Sequence, residues 1–312
     1  MTAPLRRRHV VVGLAACAMQ ARAVQGVVHE VGPRRFFTTI AQAARAARDG
    51  DTVEIDAGDY RADVAVWTQR QLVLRAVGGR VRLIADGADA EGKAIWVVRG
   101  GDIRIEGFDF SGARVAARNG AGIRFETGRL QVVDCRFVDN QNGILTANNP
   151  QAELRIERSL FQGNGTSDGQ GHNLYVGRIA RLSVTDSQSL DARVGHLLKS
   201  RAAHNEIHRN QLLNGDAGTA SYELEFPNGG VAQVSHNTIR QGPATQNSTM
   251  VSYGAEGYFW PRNELVMHDN TLIDDRPANG IYLRVAPGDR QVDLRDNRLQ
   301  GTSRTRPTTL SY

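Results

Sequence analysis

Three short segments concentrate the side chains able to move protons. Gly171 to Gly177 carries His172, Asn173 and Tyr175; Gly195 to Arg201 carries His196, Lys199 and Arg201; Ser221 to Gly230 carries Glu223, Glu225 and Asn228. An amine, a phenol and a guanidinium on neighbouring strands supply a base, an acid and an anion holder, the set needed to take a proton from carbon and return one to a leaving oxygen. Like charge at Arg201 favours the neutral amine that a lysine base requires. On an extended strand Glu223 and Glu225 point the same way with Cα atoms about 6.6–7 Å apart. That spacing suits an acid and base flanking a glycosidic bond, a Ca²⁺ site, or simply a solvated strand face.

The elements that hold these segments follow from a repeat. From Ile103 to Leu299 the chain reiterates apolar, any, apolar, any, any, small or Asn, any, apolar. The copies start at Ile103, Leu130, Leu154, Leu182, Asn205, Ala232, Leu265 and Val292, spaced 27, 24, 28, 23, 27, 33 and 27 residues apart. An irregular period of this size with two-residue alternation inside each copy describes a solenoid of short strands. A second strand precedes each copy, as at Asn142 to Thr146, Asn173 to Gly177, His196 to Ser200 and Met250 to Gly254. With Asn, Gly and Asp turns between, the expectation is an all-β, single-domain right-handed parallel β-helix. Asn210, Asn237, Asn270 and Asn297 recur at one position, where stacked amides can bond along the axis. Alternation places Leu174, Val176, Tyr222, Leu224 and Phe226 inside and Asn173, Tyr175, Glu223 and Glu225 outside; Lys199 faces out to avoid desolvation. Stacking then aligns Tyr175, Lys199 and Glu223 or Glu225 on one wall, with Arg201 at its edge. Thr38 to Arg48, Ala-rich, capped by Thr38 or Thr39 and ended at Gly50, reads as a short helix covering the open end.

Phe37 to Ala43, Gly50 to Ile55 and Ala57 to Tyr60 make the start of the chain resemble the pectate-lyase-like superfamily of β-helix proteins. The resemblance spans most of residues 36 to 300. It implies the fold first; polyuronate-cleaving enzymes, epimerases, hydrolases and non-catalytic adhesins share it. The Lys/Tyr arrangement resembles metal-independent alginate or polyglucuronate lyases. By that resemblance Lys199 is the base and Tyr175 the acid of a β-elimination. From their position on the same coils, Asn173, His172 or Arg201 can hold the uronate carboxylate, with His196 beside them. Glu223, Glu225, Asn228 and Tyr253 complete the expected substrate contacts. The Asp-Pro-His-Asp motif of alginate epimerases, the Gly-His-Gly motif of polygalacturonase-like hydrolases and a pectate-lyase Asp cluster are absent. No cofactor and no metal are expected: His204, His208, His236 and His268 are scattered over turns without metal-ligand spacing. Tyr253, Tyr258, Phe259 and Trp260 crowd the insertion behind the 33-residue interval and suit stacking on sugars or packing on the coil.

The first 23 residues read as an export signal: Arg6 to Arg8, an apolar run from Val10 to Ala16, and Ala21-Arg22-Ala23. Leu14 to Cys17 also fits a lipobox, and Arg7-Arg8 loosely fits a twin-arginine signal. The remaining domain, residues 24–312, is then periplasmic or secreted, and its only expected tie to a membrane is a lipid on Cys17. The net charge of +5 comes from 38 basic and 33 acidic residues; four of the arginines precede residue 24, and 38 less four leaves 34. Near neutrality excludes a nucleic-acid footprint. The expected partner is an acidic polysaccharide, the expected state a monomer. Of two cysteines, Cys135 sits at a small-residue repeat position and has no disulfide partner. The expected activity is a polysaccharide lyase. The alternatives are a glycan-binding or structural surface β-helix, and a glycoside hydrolase using Glu223 and Glu225.

Overall fold

The computed structural model describes residues 26–277, 280–301 and 308–309. The segment expected to be an export signal, Cys17 and most of the tail after Gly301 lie outside the described residues.

The repeat positions are in register from end to end. Ile103, Leu130, Leu154, Leu182, Asn205, Ala232, Leu265 and Val292 are successive parallel partners. So are Phe110, Phe137, Phe161, Ser189, Leu212, Ile239, Leu272 and Leu299. The result is a parallel solenoid that winds to the right, with three strands per coil. The first sheet holds the apolar-x-apolar strands, such as Ile179–Thr185, His204–His208 and Val231–Ser235. The second holds the strands just past the corner, such as Gln188–Leu190 and Gln211–Leu213. The third holds Asn142–Thr146, Leu174–Val176, Leu198–Ser200, Leu224–Phe226 and Thr249–Tyr253.

The corner between first and second sheets is built identically each time. The residue before the small or Asn position is left-handed: Asp134, Arg158, Asp186, Arg209, His236, Asp269 and Asp296 have φ between 47° and 59°. This kink turns the next side chain inward, where its oxygen accepts the backbone N–H of the coil before. The chain of bonds runs Cys135 N to Ser159 Oγ, Ser159 N to Ser187 Oγ, Ser187 N to Asn210 Oδ1, then through Asn237 and Asn270 to Asn297, all between 2.8 and 3.1 Å. Each asparagine also donates to a carbonyl on its other side, as Asn237 does to Ile207 O at 2.8 Å. Buried amides at a bend are thereby satisfied.

The coil spacing also sets the core. Phe110, Phe137 and Phe161 stack with centroids 4.9 and 4.8 Å apart and planes within 9°. Cys135 is buried, and burial pushes its thiol up to about 12. The one helix among the described residues, Ile40–Ala46, buries Ile40 and Ala43; Thr39 caps it with a reciprocal bond from Gln42. It packs beside the first coils, where strand Val28–Val31 adds one more parallel rung onto Asp51–Arg61.

Replacing Asn237 by Ala leaves the Asn210 N–H and the Ile207 carbonyl without their side-chain partner, while the Asn270 amide oxygen keeps the backbone N–H of residue 237. The expected loss is about 3 kcal/mol of stability, read as a lower denaturation midpoint. Asn297→Ala, at the half-buried end of the ladder, costs measurably less.

Candidate functional site

Parallel register on the third sheet puts Leu145, Tyr175, Lys199, Glu225 and Ser252 in one row. Three residues earlier on the same coils, Asn142, His172, His196 and Tyr222 form a second row. Its members are linked by side-chain-to-backbone bonds: His172 N donates to Asn142 Oδ1 at 3.0 Å, and His196 N donates to His172 Nδ1 at 2.9 Å. The imidazoles of His172 and His196 meet edge to face at 4.6 Å; His172 meets Tyr175 at 4.9 Å and His196 meets Tyr222 at 5.0 Å. Glycine makes this approach possible. A Cβ on Gly195 would lie 1.8 Å from the Gly171 carbonyl and 2.9 Å from His172 Nδ1.

Charges close the cluster. The Lys199 ammonium lies 3.1 Å from Glu225 Oε2 and 3.4 Å from Glu256 Oε1. The same Glu225 oxygen is 2.9 Å from His196 Nε2. Arg201 donates from Nη1 to the Tyr175 phenol oxygen at 2.7 Å and from Nη2 to both oxygens of Glu256, at 2.7 and 2.8 Å. Its carbonyl accepts the Trp260 indole N–H at 3.1 Å, which fixes the wall of the insertion against the cluster. Lys199 and Arg201 keep 13% and 14% of their side-chain surface exposed, Glu256 45%. The cluster is therefore an outward ledge of Tyr175, Lys199, Arg201 and Glu256 over a dry base of histidines and Glu225.

Burial, reinforced by His196, Lys199 and Arg201, holds His172 well below the ordinary histidine value, so its ring is neutral. Its Nδ1 accepts a backbone proton, which places the ring hydrogen on Nε2. Burial also lowers His196, against the pull of Glu225. For Glu225 burial raises the carboxyl, but the bonds from His196 and Lys199 outweigh it and leave the group below its usual range. A neutral His196 giving its Nε2 proton to ionised Glu225 satisfies both directions. The His196 Nδ1 lone pair then has no hydrogen-bond partner.

Three expected contacts face inward instead. Asn173 is fully buried; its oxygen accepts from Asn164 at 2.9 and 3.0 Å, and its amide donates to Ser189 Oγ and Leu190 O. It ends a ladder that also takes in Asn140, and that ladder anchors the corner between second and third sheets. Tyr253 is fully buried, its hydroxyl on Gly230 O at 2.6 Å. Glu223 is fully buried away from Glu225: Asp274 and Arg276 lie near it, and the Thr245 hydroxyl faces it without closing a bond of ordinary geometry. Burial, with Asp274 adding to it, raises Glu223 well above the carboxylate range. Tyr222, expected inside, lies on the outer row. Asn228 sits on the loop after Glu225, its carbonyl bonded by the Phe259 N–H at 3.0 Å. Lys199 meets two carboxylates rather than the like charge expected of it. Glu256 was missed; its one signal is the 33-residue interval that contains it. A groove of about 450 Å³ lies on the first sheet among Arg104, Arg129, Arg155 and Glu153, and holds none of these residues. The chemistry of the ledge, not the volume of that groove, marks the candidate site, because the groove's lining contains no lysine, histidine or tyrosine.

No family model matches the chain, and no curated protein matches it closely. Solved structures share its shape. The pectate lyase Pel9A superposes with a TM-score of 0.52 at 8% identity, covering 91% of this chain and 79% of that one. The Escherichia coli protein ybhc gives 0.51 at 10%, covering 93% and 88%. An alginate lyase from Paenibacillus sp. str. FPU-7 gives 0.51 at 12%, covering 88% and 99%. The fold is that of the pectate-lyase-like right-handed β-helices.

Two stability measurements follow. A histidine whose value is depressed in the folded state costs stability once the unfolded ring protonates, so the unfolding midpoint falls as pH drops below about 6.5. His172→Asn, which keeps an acceptor for His196 N as Asn142 does one coil earlier, flattens that fall. Glu223 has the opposite sign: its raised value is harmless below about 4.3 and costs stability as pH rises. Glu223→Met, matching Met250 on the next coil, raises the unfolding free energy at pH about 8 by roughly 1–3 kcal/mol, with a smaller gain near pH 4.

Proposed function

We propose that the chain is an exported polysaccharide lyase that cleaves a uronate-containing acidic polymer by β-elimination. The observation that carries this reading is the convergence of Arg201 and Lys199 on a carboxylate, Glu256, beside a phenol held by the same guanidinium. A uronate carboxylate has the charge and planar fork that Glu256 presents. The substrate carboxylate replaces Glu256 on Arg201, and its neutralisation makes the C5 proton removable. Lys199, which must first give up its ammonium proton, takes the C5 proton. The C4–O4 bond breaks, Tyr175 gives its proton to O4, and the electron pair from C5–H becomes the C4–C5 double bond. The Arg201 N–H compensates the charge that develops on the Tyr175 oxygen. Neighbours named as a pectate lyase and an alginate lyase support a polysaccharide ligand on this fold. Export rests on the pattern of residues 1–23.

One observation favours a second reading, a non-catalytic glycan-binding surface: Lys199 and Arg201 are both already paired with acids. Hydrolysis by Glu223 and Glu225 loses its support, because Glu223 is sealed in the interior.

Incubation with alginate, polyglucuronate and polygalacturonate, followed by the ultraviolet absorbance of the new double bond, separates the readings. A rise on one of them is expected. Lys199→Arg keeps the charge but cannot take a proton, and Tyr175→Phe removes the acid. Each lowers kcat by about 100-fold or more without moving the unfolding midpoint. Glu256→Gln lowers KM, since the internal competitor loses its charge. Polymer binding without any absorbance change moves the assignment to the binding reading, and new reducing ends without the double bond overturn both.

A further inference from the structure

At the corner between first and second sheets, far along the coil from the ledge, three histidines from successive rungs stack on the outer surface. His208 and His268 hold equivalent positions at the ends of first-sheet strands, in register on either side of Ser235. His236 and Asp269 occupy the left-handed corner of consecutive coils, with φ of 59° and 56°. The His208 and His236 rings are 5.0 Å apart, the His236 and His268 rings 5.7 Å. His268 Nδ1 meets Asp269 Oδ2 at 2.8 Å, and His236 Nε2 lies 3.8 Å from that same oxygen.

We propose that His236, His268 and Asp269 form a binding site for a divalent transition metal, Zn²⁺ in the first instance. One donor atom from each residue lies within 4.8 Å of the other two. Zinc bonds of 2.0–2.2 Å place tetrahedral donors about 3.4 Å apart. Closing the set needs rotation of roughly 1 Å, which His236 and Asp269, half exposed at 50% and 47%, are free to make. Two imidazoles and a carboxylate are a borderline-soft donor set that suits zinc and disfavours calcium or magnesium. His208 lies outside this set of three; its Nδ1 is engaged by Ser235 Oγ at 2.8 Å and its ring is 5.0 Å from that of His236. Earlier on the same row Asp186 is matched by the fork of Arg209, at 2.7 Å on both oxygens; Asp269 is met by two imidazoles, and the nearby Arg295 pairs with Asp293.

The test is calorimetric titration of Zn²⁺ into the untagged full chain in a non-chelating buffer, with the unfolding midpoint measured with zinc and with chelator. Binding at one equivalent in the micromolar range, with a chelator-reversible rise in midpoint, is expected. Combined His236→Ala and His268→Ala substitution weakens it at least tenfold, Asp269→Asn weakens it less, and His204→Ala leaves it unchanged. His236 and Asp269 are about half exposed and His268 a third; zinc-free unfolding midpoints measured on each variant separate loss of the site from loss of folding. Absence of binding in the wild type overturns the proposal, as does binding that survives the double substitution.

Discussion

From Cys135 to Asn270 each coil of this protein ends its first strand with a backbone N–H that faces the interior of a bend. That proton is accepted by the side chain at the same position of the following coil. Serine serves at Ser159 and Ser187, asparagine from Asn210 onward. A buried N–H left unbonded costs enough that the ladder holds the coils in a single register. Slippage by one residue would break every bond of the ladder and also turn the Phe110, Phe137 and Phe161 stack toward water.

The ledge on the third sheet inherits its geometry from that register. Tyr175, Lys199 and Glu225 are neighbours because their coils cannot slide, and the histidine row beneath is clamped to the backbone by the same kind of side-chain acceptor. Glu225 joins the two layers through one oxygen shared by His196 and Lys199. The most exposed component is Glu256, carried by the insertion and far more open to solvent than the groups it touches. In the reaction proposed above, this carboxylate is the one an anionic substrate displaces.

How much of this could be read in advance depended on periodicity. The coil order, the asparagine ladder, the capped helix and the pairing of Tyr175 with Lys199 all follow from counting residues, because parallel stacking turns equal positions into neighbours. Asn173 and Glu223 were misjudged because strict alternation fails at the corner before each third-sheet strand. There two consecutive residues, Asn173 with Leu174 and Glu223 with Leu224, both turn inward. Tyr253 follows the alternation it shares with Val251, and only its chemical type suggested an outward role. The cluster at His236, His268 and Asp269 was invisible for the reverse reason. Residues 32 apart show no ligand spacing along the chain, yet one turn of the coil brings them together.

The step from first to second sheet is seven residues in every repeat copy, from Ile103 to Phe110 through Val292 to Leu299. The steps on either side of the third sheet range from seven residues to 14. Length variation is thus confined to the two edges that border one wall. New segments such as the one from Gly254 to Asn263 can be spliced in there without disturbing the wound core. Added length is channelled to a single flank, while the opposite edge keeps its seven-residue step in every copy.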